Sequence, residues 1–90
     1  MKYKIEYSTA FKKTLKKLNK KDIDKVFNVV EKLANGEKLD IKFKDHALKG
    51  DYLGYRDCHI KPDLVLIYKK QDDRLILTCV ELGSHSELDL

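Results

Sequence analysis

The sequence predicts an α+β domain in which a helical hairpin packs against one curved antiparallel sheet, with elements in the order β-α-α-β-β-β. Near the start, a short alternating stretch gives way to two runs with helical periodicity. After a polar, turn-rich middle, three apolar runs follow one another through connections too short to hold a helix. A chain of 90 residues encloses one modest core, so residues 1–90 are read as a single domain.

Tyr3, Ile5 and Tyr7 alternate with Lys2, Lys4 and Glu6, the period of a half-buried strand. Ser8 or Thr9 can cap the helix that follows, where Phe11, Leu15 and Leu18 form one apolar stripe among lysines. Asp22 can cap a second helix, whose Ile23, Val26, Phe27, Val30, Leu33 and Ala34 give a wide apolar face before Gly36 closes it. The linker Asn19-Lys20-Lys21 is short enough to make the helices an antiparallel hairpin. From Gly36 to Gly54 an ordered loop with a few apolar anchors is expected. Three strands follow at Tyr55–Ile60, Leu64–Lys69 and Leu75–Leu82, joined by Lys61-Pro62-Asp63 and Lys70-Gln71-Asp72-Asp73-Arg74. Leu64-Val65-Leu66-Ile67-Tyr68 is apolar on both faces, as a central strand requires.

The 38% charged fraction and single proline argue against a membrane protein and against a disordered chain. No apolar stretch approaches the length of a membrane span, and the alternating start lacks a signal-peptide segment, so a cytoplasmic location is expected. Cys58 and Cys79 match no metal or redox spacing and read as reduced, structural thiols. The formal charge is +4, unevenly spread: eight lysines and only one acid, Glu6, lie within Met1–Lys21, whereas Leu75–Leu90 holds three acids and no Lys or Arg. A basic end attracts polyanions, which makes RNA, DNA or an acidic protein segment natural partners. A general nucleic-acid binder would use Lys12, Lys13, Lys16 and Lys17.

The histidines at 46, 59 and 85 fall in the loop, in a strand and in the tail. Asp57 and His59 share one strand face with Tyr55, while Arg56 and Cys58 point the other way. Asp63, after the turn proline, can approach His59 across the hairpin. In Gly83-Ser84-His85-Ser86-Glu87-Leu88 a flexible glycine and small polar residues present an imidazole just after the last strand. RNA cleavage at a phosphodiester needs a base for the 2′-hydroxyl, an acid for the leaving 5′-oxygen, and cations for the phosphorane. His46, His59 and His85 can move the protons near neutral pH, Asp57 and Asp63 can tune them, and Lys49 or Arg56 can meet the phosphate. Each histidine taken singly is more often structural; the combination carries the reading. No His-x-x-x-His or cysteine pair supports a zinc site, so neither metal nor cofactor is expected.

Three segments, Asp45-His46-Ala47-Leu48-Lys49-Gly50, Tyr55-Arg56-Asp57-Cys58-His59-Ile60-Lys61-Pro62-Asp63 and Gly83-Ser84-His85-Ser86-Glu87-Leu88, resemble the YafQ-type toxins of the RelE/ParE superfamily, from type II toxin–antitoxin systems. The resemblance covers nearly the whole chain. It implies the RelE-like microbial RNase fold and an mRNA interferase that enters the ribosomal A site and cuts the bound message, leaving a 2′,3′-cyclic phosphate or its 3′-phosphate product. It also implies a cognate antitoxin protein as partner. Carried over by position, the catalytic residues are His46, His59, Asp63 and His85, with Asp57 beside them. His85 is the expected acid, and His46 and His59, assisted by Asp63, share the base role or hold the message. Lys49 and Arg56 are assigned to RNA from charge and proximity. Glu81 stands where many relatives carry an arginine, and Asp89 where the family commonly ends in phenylalanine. These departures keep open an alternative: a catalytically weak or non-enzymatic toxin of the same fold, acting by binding, for example to gyrase.

Overall fold

A computed structural model describes residues 1–90. Strand β1 (Lys4–Tyr7) leads into helix α1 (Thr9–Leu15), capped by the Ser8 hydroxyl, which accepts from the Phe11 N–H at 3.0 Å. Helix α2 (Lys20–Ala34) begins earlier than Asp22. Asn19 is its cap, accepting from the Asp22 N–H at 2.9 Å, so Asp22 falls in the first turn, where its carboxylate pairs with Lys61 at 3.1 Å. Either residue type can cap; the one three positions upstream of an acid in the first turn takes the role. At the other end Gly36 adopts φ 79°, and the Glu37 N–H reaches back to the Lys32 carbonyl, closing α2 in a Schellman turn.

The middle segment is ordered, as expected, through two single 3-10 turns, Ile41–Phe43 and Gly50–Tyr52, and a two-residue strand β2 (His46–Ala47). Strands β3 (Arg56–Lys61), β4 (Leu64–Gln71) and β5 (Ile76–Gly83) then form the meander. The five strands make one sheet in the order β1-β5-β4-β3-β2. All neighbours run antiparallel except β1, which joins β5 in parallel, Lys4 opposite Ile76 through Tyr7 opposite Cys79. The sheet is therefore mixed. Alternation identifies β1 as a strand without naming its neighbour, and two helices and the meander separate it from β5, so no tight turn fixes its direction.

The alternating side chains of β4 divide the interior. Leu64, Leu66 and Tyr68 join Phe11, Val26, Val29, Val30 and Leu33 in the main core between sheet and helices. On the other face Val65 and Ile67 are covered by Leu88 from the tail, with Leu48, Tyr52 and Tyr55 around them. This thinner layer matters for function, because β3 presents Asp57 and His59 on that face, opposite Ile67 and Val65. Cys58 and Cys79 are free thiols in the main core, and burial pushes the Cys79 thiol up to about 12, which makes it inert at neutral pH.

Candidate functional site

His46 pairs in register with Asp57 across the β2–β3 ladder. Its Nδ1 lies 2.8 Å from the Lys44 carbonyl oxygen and 3.1 Å from Asp57 Oδ1. A carbonyl only accepts, so Nδ1 carries the proton and the neutral ring keeps its lone pair on Nε2. The carbonyl is aimed by the backbone of Lys44 itself, which sits in the left-handed region at φ 51°. That conformation costs a residue with a side chain about 1–2 kcal/mol, so the turn is held from outside. Next to it, Asp45 accepts hydrogen bonds from Arg56 Nη2 at 3.2 Å and from the Tyr68 hydroxyl. Asp45 thus clamps the loop to β3 and β4 between the two residues that set His46.

Asp57 is the one buried charged residue, 2% exposed. The Nδ1 proton of His46 is committed to Lys44, leaving Asp57 Oδ1 beside the ring without a hydrogen bond of its own. Burial pushes the Asp57 carboxyl up, while His46, His59 and His85 all pull it down. The charges of all three imidazoles thus favour the ionised form of one carboxylate, which His46 alone is seen to contact. His59 and His85 meet edge to face, with ring centroids 4.8 Å apart. Burial lowers the pKa of His59; Asp57 opposes this, and His85, Lys44 and His46 add to it.

His85 is held by a local device. The Ser84 N–H donates to Glu87 Oε1 at 2.8 Å and the Glu87 N–H donates to Ser84 Oγ at 3.2 Å. This reciprocal pair is a capping box around a single turn, with His85 between its partners. The Ser84 N–H, with the Ser84 hydroxyl, holds the Glu87 carboxyl below its ordinary range.

The expected cations are placed differently. Arg56 is engaged with Asp45 and so does not stand free beside the histidines, as its assignment to RNA assumed; it lies on the opposite face of β3 from Asp57. Lys49 is exposed ahead of the second 3-10 turn and makes no ion pair. Asp63 is exposed in the β3–β4 turn and makes no hydrogen bond or ion pair; the carboxylate that acts on His59 is Asp57. Glu81 accepts from the Tyr52 hydroxyl at 2.8 Å, a structural use of the acid. Asp89 is exposed at φ 59°, and the apolar tail residue that packs is Leu88.

The residues that sequence reasoning missed surround a cavity of about 730 Å³ opening beside His59 and His85. Lys25 and Lys32 of α2, Lys42 and Lys44 of the loop, and Lys61 line it, and no acid does. Lys25 and Lys32 are seven positions apart, hence on one helix face, a signal present in the sequence but outweighed there by the denser lysines of α1. No group of three or more His, Cys, Asp or Glu side chains is arranged to hold a metal ion.

Residues 3–90 match the family described as bacterial toxin of type II toxin-antitoxin system, YafQ. The mRNA interferase toxin YafQ of Escherichia coli K12 is 39% identical over 87 residues, covering 93% of this chain and 92% of the relative. A crystal structure of a metal-bound toxin from Helicobacter pylori superposes with a TM-score of 0.86 at 45% identity, covering 96% of this chain and 98% of that one. The toxin in a crystal structure of the E. coli DinJ–YafQ complex superposes at 0.84 with 37% identity, covering 96% and 97%. With a family match over almost its full length and relatives of this closeness, the chain belongs to the YafQ family of bacterial type II toxin–antitoxin toxins.

Proposed function

We propose that the protein is a ribosome-dependent endoribonuclease that cleaves mRNA in the A site by acid–base chemistry and so inhibits translation. The observation that carries this reading is the convergence of His46, His59 and His85 on the buried Asp57, beside a cavity walled by lysines. The relatives named mRNA interferase support it.

In this reading the 2′-oxygen attacks the adjacent phosphorus and the P–O5′ bond breaks, giving a 2′,3′-cyclic phosphate and a 5′-hydroxyl. A neutral imidazole takes the 2′-hydroxyl proton. Two are suited: His46, whose Nε2 lone pair is fixed by the Lys44 carbonyl, and His59, which its surroundings keep neutral at pH 7. His85, held by the Ser84–Glu87 turn, gives its proton to the leaving 5′-oxygen. Asp57 orients His46 and stabilises whichever imidazole becomes charged. Asp63, at the exposed turn, and Lys49, on the loop, are assigned to contacts that form when the message is bound. With Glu81 tied to Tyr52, the phosphorane charge falls to the cavity lysines.

A cognate antitoxin completes the assignment, as the DinJ–YafQ complex does for the E. coli toxin, and a cytoplasmic site of action follows from the ribosomal target. Cleavage of a translated message by wild type and by His85→Ala, with the new ends mapped, tests the reading. Loss of about 10²–10⁴-fold in rate is expected for His85→Ala. Equal cleavage by both would remove His85 from the mechanism, and growth arrest surviving replacement of all three histidines would favour the binding-only alternative.

A further inference from the structure

The cavity beside His59 and His85 is a trough with two walls from separate parts of the chain. One is α2, where Lys25, Asn28 and Lys32 follow one another at spacings of three and four and so line one helix face, along about two turns. The other is the loop around the first 3-10 turn, which supplies Lys42 and Lys44. The walls meet over Phe43, whose ring centroid lies 5.7 Å from Lys32 Nζ and 5.3 Å from Lys42 Nζ. At its inner end the ladder slips between His59 and Lys61, so that His59, Ile60 and Lys61 all border the same space.

Charge is what singles this trough out. The chain has fifteen Asp and Glu residues, yet none lines it. Of the five lysines that do, only Lys61 forms an ion pair, with Asp22. Lys25, Lys32, Lys42 and Lys44 form no ion pair. A concavity walled by four unpaired ammonium groups carries a positive potential that draws anions into it.

We propose that this trough binds single-stranded RNA, the phosphates of the nucleotides flanking the scissile bond lying between the α2 wall and the loop wall. The assignment rests on the nuclease reading for the position of the scissile bond, at His59 and His85, but not for the binding itself. Continuity with the imidazoles favours RNA over an acidic protein segment, since a strand leaving the histidines must pass between the lysines. A basic groove with an aromatic floor is the recurrent solution for following a single strand without reading its sequence. The basic face of α1, the more conspicuous one in the sequence, is assigned no phosphate.

The test compares two variants with the same change in net charge. One carries Lys25→Gln, Lys32→Gln, Lys42→Gln and Lys44→Gln; the other carries Lys12→Gln, Lys13→Gln, Lys16→Gln and Lys17→Gln. The probe is a fluorescent, fully 2′-O-methylated oligoribonucleotide, which keeps its phosphates but lacks the nucleophile, with binding followed by anisotropy from low to moderate salt. Each lost phosphate contact lowers the slope of log K against log salt by about 0.7, so the trough variant should lose about 2–3 in slope and the α1 variant close to none. Equal losses in both would reduce the effect to net charge and overturn the proposal. So would an unchanged slope in the trough variant, including the case in which that variant loses binding only to a glutamate-rich peptide, which would assign the trough to an acidic protein segment. Cleavage of ribosome-bound message by the wild type separates the two readings. Trough-dependent binding without cleavage sinks the nuclease alone, and cleavage without trough dependence sinks the trough alone.

Discussion

A carboxylate that is buried, with one oxygen left without a hydrogen bond, titrates differently in the folded and the unfolded chain. Burial raises the Asp57 pKa against the pull of three imidazoles. Between the ordinary carboxyl value and the raised one, the folded chain therefore binds more protons than the unfolded chain, and stability falls as pH rises through that window. Below the window the carboxyl is neutral in both states and the penalty vanishes. Asp57→Asn should accordingly shift its melting temperature relative to wild type in the variant's favour between pH 4 and pH 7.5, while cleavage falls because His46 loses its charged neighbour. Thermal denaturation at the two pH values checks this, and a constant gap would show that Asp57 carries no such burden. The residues of this cluster were legible in sequence: spacing put Asp57 and His59 on one strand face, and the family motif supplied His46 and His85. The contact between Asp57 and His46 was not: the β2–β3 ladder makes it, and a pairing made through a two-residue strand leaves no periodic trace.

At the scale of elements, two short devices place the histidines, and each is secured by side chains and not by length of helix or strand. The loop carrying His46 is clamped through Asp45 to Arg56 and Tyr68. The tail carrying His85 is closed by the Ser84–Glu87 box. If the box acts by positioning His85, its loss should lower kcat with little change in KM, since a misplacement of about 1 Å can cost about a hundredfold. Glu87→Ala should show this loss. Glu87→Gln keeps an acceptor at the same reach and should restore most of the rate. Single-turnover cleavage by the two variants separates positioning from charge: if Gln fails as badly as Ala, the negative charge and not the turn is what matters. Ser-x-x-Glu was readable at residues 84–87, as was every major strand to within one or two positions. The Asp45 clamp was hidden, because its three members come from different elements, and Arg56 consequently looked free for RNA when it is already paired.

Across the whole molecule the sheet separates two layers of unequal strength. The helix side buries a continuous core from Tyr3 to Leu82, whereas the other side rests on Val65, Ile67 and Leu88 with partly buried neighbours. Local opening follows buried contact, so the tail should open without unfolding the rest of the domain. That separation puts His85 on the less stable layer and Asp57 with His59 on β3, so the complete site exists only while Leu88 is seated. Truncating a buried leucine to alanine costs about 2–5 kcal/mol. Because the tail opens alone, most of this should appear in its own opening equilibrium. In Leu88→Ala, amide exchange at Leu88, Asp89 and Leu90, whose N–H groups bond to Ser84, Ser86 and His85, should accelerate by about thirtyfold or more, each tenfold corresponding to about 1.4 kcal/mol. Amides of Leu66 and Ile67 in β4 should change far less, and cleavage should fall at temperatures where circular dichroism still reports a folded sheet. Hydrogen exchange measured residue by residue decides the matter: equal acceleration in tail and β4 would mean that the two layers unfold as one, and that the tail is no separate carrier of His85.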